Sequence, residues 1–172
     1  MALHDDLLIH AHMLAMVDIG QHAIQAPLQV NLRRAISSAY YAVFHLLIAE
    51  SVDLLVPAEP PGLAGRVSRS FTHNEMNRVC GIFARQQLTD ELRELLPNGI
   101  SAGLNTVARI FCQLQQERHS ADYDINFTTL RSLTLTRINE AEEAFTAWKS
   151  IRETEEATVF LASLAFASRW SK

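Results

Sequence analysis

The sequence predicts an all-α protein, an up-and-down antiparallel bundle with an extra helix near its C-terminal end. Apolar residues recur at spacings of three and four along most of the 172 residues, and no segment alternates as a strand would. The last proline is Pro97 and the last glycine Gly103, so the final third offers only helices and short polar turns. With 48% hydrophobic and 20% charged residues, we predict a single domain over residues 1–172.

The first two helices are separated by a proline. The first is predicted at about 5–23, ending near Pro27, and the second at about 28–52. A connector rich in proline and glycine follows at 57–65. We therefore expect two long antiparallel helices and then an irregular segment.

The third helix begins at a capping box. Thr72 is followed three residues later by Glu75, so each side chain can bond the other's backbone N–H at the start of a helix that runs to about residue 85. A short helix at 90–95 stops at the Pro-Asn-Gly turn of 97–99.

Three further features complete the order of elements. A fourth long helix is predicted at about 102–118, and Thr128 is predicted to cap a fifth. The segment 155–170 forms a C-terminal apolar helix whose large side chains spread around more than one face. Such a helix needs cover, either from its own bundle or from a second subunit or partner.

Composition limits the classes of function. Fifteen basic and 19 acidic residues give a net charge of −4, so any site for a polyanion must be local. Cys80 and Cys112 lie inside helical patterns in a chain without a signal-peptide layout, which predicts reduced thiols in the cytoplasm. No apolar run reaches about 18 residues, so no membrane span is expected.

An apolar stripe on the fourth helix leads to a charged group. Continuing the stripe by one turn reaches Arg118, which should therefore lean toward the core. A guanidinium in that position needs oxygen partners, because an unpaired buried charge is very costly. Asp122, Asp124 and a bound phosphate are the candidates.

A polar stripe runs along the otherwise apolar second helix. It contains Arg34, Ser37, Ser38, Tyr41 and His45. One interpretation is a solvated face. The other is that Arg34 and Tyr41 form an anion-binding groove with Arg118, since arginine forks and tyrosine hydroxyls suit phosphate oxygens.

Catalytic and metal-site patterns are incomplete in this sequence. Metal-independent RNA cleavage requires a base, an acid and a cation, and Arg118 could supply the cation. His119 could titrate near neutrality, but as the next residue on a helix it points about 100 degrees away. Tyr123 is a poor base at neutral pH, with an ordinary pKa of about 10. Neither metal-ligand spacing nor a cofactor motif is present, so we predict no metal and no cofactor.

Three segments together resemble the HEPN domain family, named for higher eukaryotes and prokaryotes nucleotide-binding proteins. The stretch 34–45, with its serines, paired tyrosines and Phe-His, is similar to one helix of the family. The stretch 72–75 is similar to the family's histidine at the start of the third helix, and 118–124 looks like its R-x-x-A-D-Y-D motif variant. The resemblance covers roughly residues 28–145.

This resemblance implies a helical bundle that forms a homodimer, with the arginine motif facing a cleft between protomers. Members of the family include ribonuclease toxins, often encoded beside a minimal nucleotidyltransferase that acts as antitoxin, and also non-catalytic nucleotide- or RNA-binding modules. In the ribonuclease members an arginine and a polar residue precede a histidine. Arg118 and His119 match the first two places, and Tyr123 stands in the third.

Three hypotheses follow. The first is a non-catalytic HEPN-type binding module in a toxin-antitoxin or defence system, with a ligand site formed by Arg34, Ser38, Tyr41, His45, Arg118, Asp122 and Tyr123. The second is a ribonuclease toxin that uses Arg118 with His119, or with His45 or His73 contributed across the bundle or dimer. The third is structural, with Arg118 paired to Asp122 or Asp124 to lock the helix end.

Overall fold

A computed structural model describes residues 2–17, 28–57 and 62–166, and within these ranges the chain forms helices and turns without strands. The helices of the described residues are α1 (Leu3–Met16), α2 (Gln29–Leu55), α3 (Leu63–Ser68), α4 (His73–Ala84), α5 (Asp90–Leu95), α6 (Ala102–Tyr123), α7 (Arg131–Ile151) and α8 (Glu155–Phe166). The predicted all-α helical bundle is confirmed.

Helices α2 and α6 form the antiparallel centre of the bundle. The N-terminal end of α2 meets the chain after α6, where the Gln29 amide donates to the Thr129 carbonyl at 2.9 Å. Further along α2, Phe44 packs against Phe111 of α6 with ring centroids 6.5 Å apart. Fifteen α2 residues are buried, because other helices cover most of its faces.

Two helices flank α6 on opposite sides. Helix α4 runs antiparallel to it, since the Asn105 amide donates to the carbonyls of Phe83 and Ala84 at 3.1 and 2.9 Å. Helix α7 packs closely on the other side, where a Cβ added to Gly103 would lie 2.9 Å from Cγ2 of Ile151. Glycine at this position therefore lets α6 and α7 approach.

The N-terminal helix and the connector differ in part from the expectations. Helix α1 ends at Met16 because Val17 has extended backbone angles. The remainder of the predicted first helix, 18–23, lies outside the described residues, as does Pro27. In the connector the structure contains the short helix α3, begun by Gly62 at a φ of 87°, a left-handed angle that favours glycine. The sequence reading missed this helix.

The predicted caps have mixed outcomes. The Thr72 hydroxyl accepts a hydrogen bond from the Glu75 backbone N–H at 3.3 Å, so Thr72 caps the third helix as predicted. The Glu75 carboxylate accepts from the Thr72 hydroxyl at 3.0 Å instead of from the Thr72 backbone N–H, so the second half of the predicted capping box is not formed. The prediction that Thr128 caps the fifth helix is wrong. Helix α7 begins after Leu130 without a side-chain cap, because the Gln29 amide holds the preceding Thr129 backbone through two hydrogen bonds.

The C-terminal helix packs on its own bundle. Phe160, Leu161 and Leu164 are buried, and the Phe160 ring meets Phe83 of α4 at 5.0 Å between centroids. Phe166 is exposed, and residues 167–170 of the predicted helix lie outside the described part of the chain. Within the described segment, the interpretation of α8 as part of the chain's own core agrees with its contacts.

Helix α2 is the described helix with the length and apolar character of a membrane span. Among the described helices it alone is long and apolar enough to cross a bilayer, with 78% of the relevant window buried in the bundle. A core helix passes the same test, so this is weak evidence for a span. The absence of a membrane segment stays a prediction.

Candidate functional site

Arg118 is the buried centre of a polar cluster where α2, α4 and α6 meet. Its residue is only 7% exposed, although it carries a permanent positive charge. The side-chain Nε has no hydrogen-bond partner. Its ion-pair contact, from Nη1 to Asp122 Oδ2, measures 3.8 Å, which is too long for a good hydrogen bond. Arg118 therefore retains donor capacity that the protein does not use.

Three tyrosine rings surround this guanidinium. The Cζ of Arg118 lies 5.1 Å from the ring centre of Tyr40, 5.7 Å from that of Tyr41 and 5.9 Å from that of Tyr123. Distances under about 6 Å allow cation-π attraction. Tyr40 is fully buried, whereas Tyr123 is 67% exposed. The rings offset part of the cost of burying the charge. The Tyr40 hydroxyl also takes a side-chain hydrogen bond from Arg118, which leaves Nε as the donor without a partner.

Tyr40 and His73 link the cluster to the start of α4. The Tyr40 hydroxyl lies 2.7 Å from Nδ1 of His73, and which atom donates depends on the histidine tautomer. Burial raises the pKa of Tyr40 well above its ordinary value, and the nearby Arg118 charge only partly offsets this. Burial, followed by the charges of Arg118 and His45, lowers the pKa of His73. Both groups are therefore neutral at pH 7.

Asp122 joins α6 to the polar stripe of α2. Its Oδ1 accepts a hydrogen bond from the Ser37 hydroxyl at 2.6 Å and lies 3.4 Å from Nη1 of Arg34. The side chain of Arg34 is 67% exposed, so it is held only loosely. The structure thus brings Arg34, Asp122 and Arg118 together, with one carboxylate between two guanidinium groups.

Arg33, which the sequence analysis did not single out, holds the end of α6. It donates from Nε to the Ala121 carbonyl at 2.6 Å and from Nη2 to the Asp124 carbonyl at 2.9 Å. These bonds satisfy carbonyls that a helix end leaves without intrahelical partners. This contact accompanies the extension of α6 to Tyr123, five residues beyond the predicted end at Arg118.

Other predicted site residues lie at the edge of the cluster or away from it. Ser38 is buried and bonds His10 of α1 at 3.2 Å, so the structure does not bring it to Arg118. His45 stacks on Tyr41 at 6.3 Å between centroids, and burial lowers its pKa. His119 is exposed and contacts the Tyr123 ring at 5.2 Å. Because α6 continues past it, His119 keeps the sideways direction expected on a helix.

The alternative partner for Arg118 is excluded by geometry. Asp124 directs its Oδ1 to the backbone N–H of Asn126 at 2.8 Å and contacts Arg33 through its carbonyl. The suggestion of an Arg118–Asp124 pair is therefore wrong, and the Asp122 pair is the one that forms, at long distance.

Thiols and metal ligands do not add to the cluster. Cys80 and Cys112 are free, and burial raises the pKa of both thiols. In the part of the chain that the structure describes, no group of three or more His, Cys, Asp or Glu side chains is arranged to hold a metal ion.

Comparisons of this chain with protein-family models, with curated proteins and with solved structures found no match. A buried guanidinium with an unused donor, a second, exposed guanidinium and tyrosine hydroxyls can bind an oxyanion such as phosphate. Tyr40 cannot act as a base, because its raised pKa keeps it protonated.

Proposed function

We propose that this chain is a HEPN-type module that binds the phosphate group of a nucleotide or of RNA in the cytoplasm. The observation that carries the proposal is the state of Arg118, which is buried yet lacks a partner at Nε and has its carboxylate contact at 3.8 Å. Buried charges are normally well paired, so an under-satisfied one at a helix junction is a functional candidate.

The surroundings of Arg118 support phosphate as the ligand. Arg34 is close enough to share Asp122 with Arg118 and exposed enough to turn toward an incoming anion. The first turn of α4 lies beside the cluster through His73, and the N-terminal end of a helix favours negative charge. The exposed ring of Tyr123 offers a surface on which a base can stack.

The proposal predicts binding that depends on the two arginines. Titration calorimetry with AMP should give a measurable affinity for the wild type, and Arg118→Gln should reduce it by at least tenfold, or about 1.4 kcal/mol. Arg34→Gln should give a smaller loss, because its side chain is more exposed. Arg66→Gln on α3 removes one exposed positive charge elsewhere and should leave the affinity unchanged. If Arg118→Gln binds AMP as tightly as the wild type does, the proposal is wrong.

A second candidate is metal-independent RNA cleavage with His73 as the base. His73 is neutral at pH 7 and close enough to Arg118 for that charge to lower its pKa, whereas His119 points to the side. A labelled RNA pool incubated with wild type in EDTA should be cut if this holds, and His73→Gln and Arg118→Gln should both abolish the cut. Intact RNA in the presence of folded wild type would remove this candidate and leave binding as the function.

The homodimer and the nucleotidyltransferase partner belong to the same proposal and rest on the sequence resemblance. Analytical ultracentrifugation of the purified chain tests the dimer directly. A sedimentation coefficient of a monomer at all concentrations would remove it.

A further inference from the structure

A pocket of about 350 Å³ lies on the surface where α1, α2 and α3 meet, which we call the α1–α3 pocket. Its lining is mainly apolar, with contributions from all three helices: Leu3 of α1, Ile48, Ala49 and Val52 of α2, and Ala64 and Gly65 of α3. The small side chains on α2 and α3 create the space between those helices. A concave, largely apolar pocket of this volume is typical of sites for small molecules.

The imidazole ring of His45 is the main polar group of the pocket. It contacts the rings of Tyr41 and Phe44, with centroids 6.3 and 5.3 Å apart. No hydrogen bond joins its ring nitrogens to any residue that the structure describes, and neither nitrogen is sealed from solvent. Burial, followed by the charge of His4, lowers the pKa of His45, so the ring is neutral at pH 7. His45 therefore offers one acceptor and one donor nitrogen to a ligand.

The charged groups around the pocket do not favour a charged ligand. Asp53 lines the pocket and is exposed, and Oδ1 of Asp5 lies 3.9 Å from Nε2 of His4. On the α3 side, a Cβ added at Gly65 would lie 3.8 Å from Nη1 of Arg69. Two carboxylates and one guanidinium give a net negative surround, which disfavours an anion. Exposed carboxylates attract an ammonium group only weakly, and the apolar lining removes its water at a cost.

We propose that the α1–α3 pocket binds a small, neutral aromatic molecule with one hydroxyl or N–H donor, such as a phenol or an indole, and that His45 accepts the hydrogen bond. Alanine and glycine on the α2 and α3 sides leave a space that suits a flat ring. The ring nitrogens of His45 are accessible and have no partner in the described part of the chain. This site is independent of the proposed phosphate site, because none of its lining residues carries the Arg118 charge.

The chemistry of the ligand is tested with a series of fluorinated probes that share one ring. Fluorine NMR titration with 4-fluorophenol should show saturable binding, with a dissociation constant of about 1 mM or lower for so small a molecule. The methyl ether 4-fluoroanisole lacks the donor and should bind about tenfold more weakly. The anion 4-fluorobenzoate and the cation 4-fluorobenzylamine should bind more weakly than 4-fluorophenol by a similar factor.

Variants locate the probe in the pocket. His45→Phe keeps a ring beside Tyr41 but removes both nitrogens, so it should weaken 4-fluorophenol about tenfold and leave 4-fluoroanisole unchanged. Ala49→Leu and Gly65→Leu fill the space from two different helices, and each should abolish the binding of 4-fluorophenol. Thr158→Leu adds the same side chain at an exposed position of α8 and should leave the affinity at its wild-type value.

Three results would overturn this site. The first is the absence of saturation by 4-fluorophenol up to about 10 mM, which is too weak for a specific pocket. The second is equal weakening of 4-fluorophenol and 4-fluoroanisole by His45→Phe, which would show a purely structural role for the ring. The third is wild-type affinity in both Ala49→Leu and Gly65→Leu, which would show that the probe binds elsewhere. None of these results depends on whether Arg118 binds AMP.

Discussion

Two arginines on neighbouring helices show how differently this fold treats a partly buried positive charge. Arg137 of α7 pairs with Glu117 and Glu140 at 3.0 Å each, and its side chain is 15% exposed. Arg118 of α6 is more deeply buried, at 8% of its side chain, yet its ion-pair contact measures 3.8 Å and its Nε is unpartnered. The better-buried charge has the poorer partners.

This difference is the basis of the proposal that Arg118 binds a ligand, whereas Arg137 stabilises the fold. Around Arg137, even the Glu140 oxygens are further satisfied by the Gln113 amide at 3.2 Å, so the network is complete within the protein. Around Arg118, aromatic rings shield the charge and Nε has no hydrogen-bond partner. Under the proposed function, this donor binds the phosphate of the ligand.

The largest predicted difference between the two arginines is in their contribution to stability. Arg137→Met leaves two carboxylates without their cation, so the free energy of unfolding should fall by about 3 kcal/mol. Arg118→Met removes a charge whose carboxylate contact is long, at 3.8 Å, and Asp122 keeps Ser37 and Arg34 as partners. Stability should therefore change by less than about 1 kcal/mol. Urea denaturation followed by circular dichroism measures both. A loss of about 3 kcal/mol for Arg118→Met would instead support the structural hypothesis for Arg118.

The next effect concerns ligand-linked stabilisation. Inorganic phosphate or AMP at a concentration of about a hundred times its dissociation constant should raise the unfolding free energy of the wild type by about 2.7 kcal/mol. Arg137→Met should keep this gain, although it starts from lower stability, and Arg118→Met should lose it. Thermal denaturation with and without ligand, at constant ionic strength, separates binding from general salt effects. If Arg118→Met keeps the ligand-induced gain in unfolding free energy, the ligand binds at a different site.

A smaller effect should come from the carboxylate that shares the cluster. Asp122→Asn keeps an oxygen for the Ser37 hydroxyl but removes the negative charge next to the incoming phosphate. Anion affinity should therefore rise about tenfold, or about 1.4 kcal/mol, since like charges a few ångströms apart repel appreciably even when screened. The matched change Glu140→Gln in the Arg137 network should leave anion affinity unaltered and reduce stability. Weaker phosphate binding by Asp122→Asn would show that Asp122 positions Arg118 rather than competes for it.

The smallest expected effect is on pH dependence. Because its pKa is lowered on folding, His73 binds fewer protons in the native state, so its contribution is present above its ordinary pKa of about 6.5 and is lost as pH falls through its folded value. The wild type should lose stability between neutral and mildly acidic pH, and His73→Gln should flatten that part of the profile. Parallel curves for wild type and His73→Gln would contradict the assigned environment of His73.

Much of the fold follows from local sequence signals. Thr72 and Glu75 mark a helix start because a capping pair involves residues only three apart. The short helix at 90–95 could be predicted because the Pro-Asn-Gly turn that ends it lies directly after it in the sequence. The inward position of Arg118 follows from helical periodicity alone. One local signal was overlooked: continuing the same stripe by three residues reaches Ala121, which is buried, so the longer α6 was within reach of the pattern.

The partners of these residues could not be read in the same way. Arg33 looks like any charged residue on a helix, and nothing local indicates that it bonds carbonyls 88 to 94 residues later. Ser37 and Ser38 are adjacent and chemically identical, yet one bonds Asp122 of α6 and the other His10 of α1. Such choices depend on how helices are oriented in three dimensions, and periodicity within one helix does not contain that information.

The clamp formed by Gln29 and Arg33 has a consequence for synthesis of the chain. It joins the start of α2 to residues around 121–129, about a hundred positions later, so it cannot form until α6 has emerged from the ribosome. Closing so long a loop costs entropy before any contact is gained. While only α1 to α4 have been synthesised, the polar cluster centred on Arg118 cannot yet form. The proposed anion site at Arg118 therefore forms only after α6 and the segment that follows it have been synthesised.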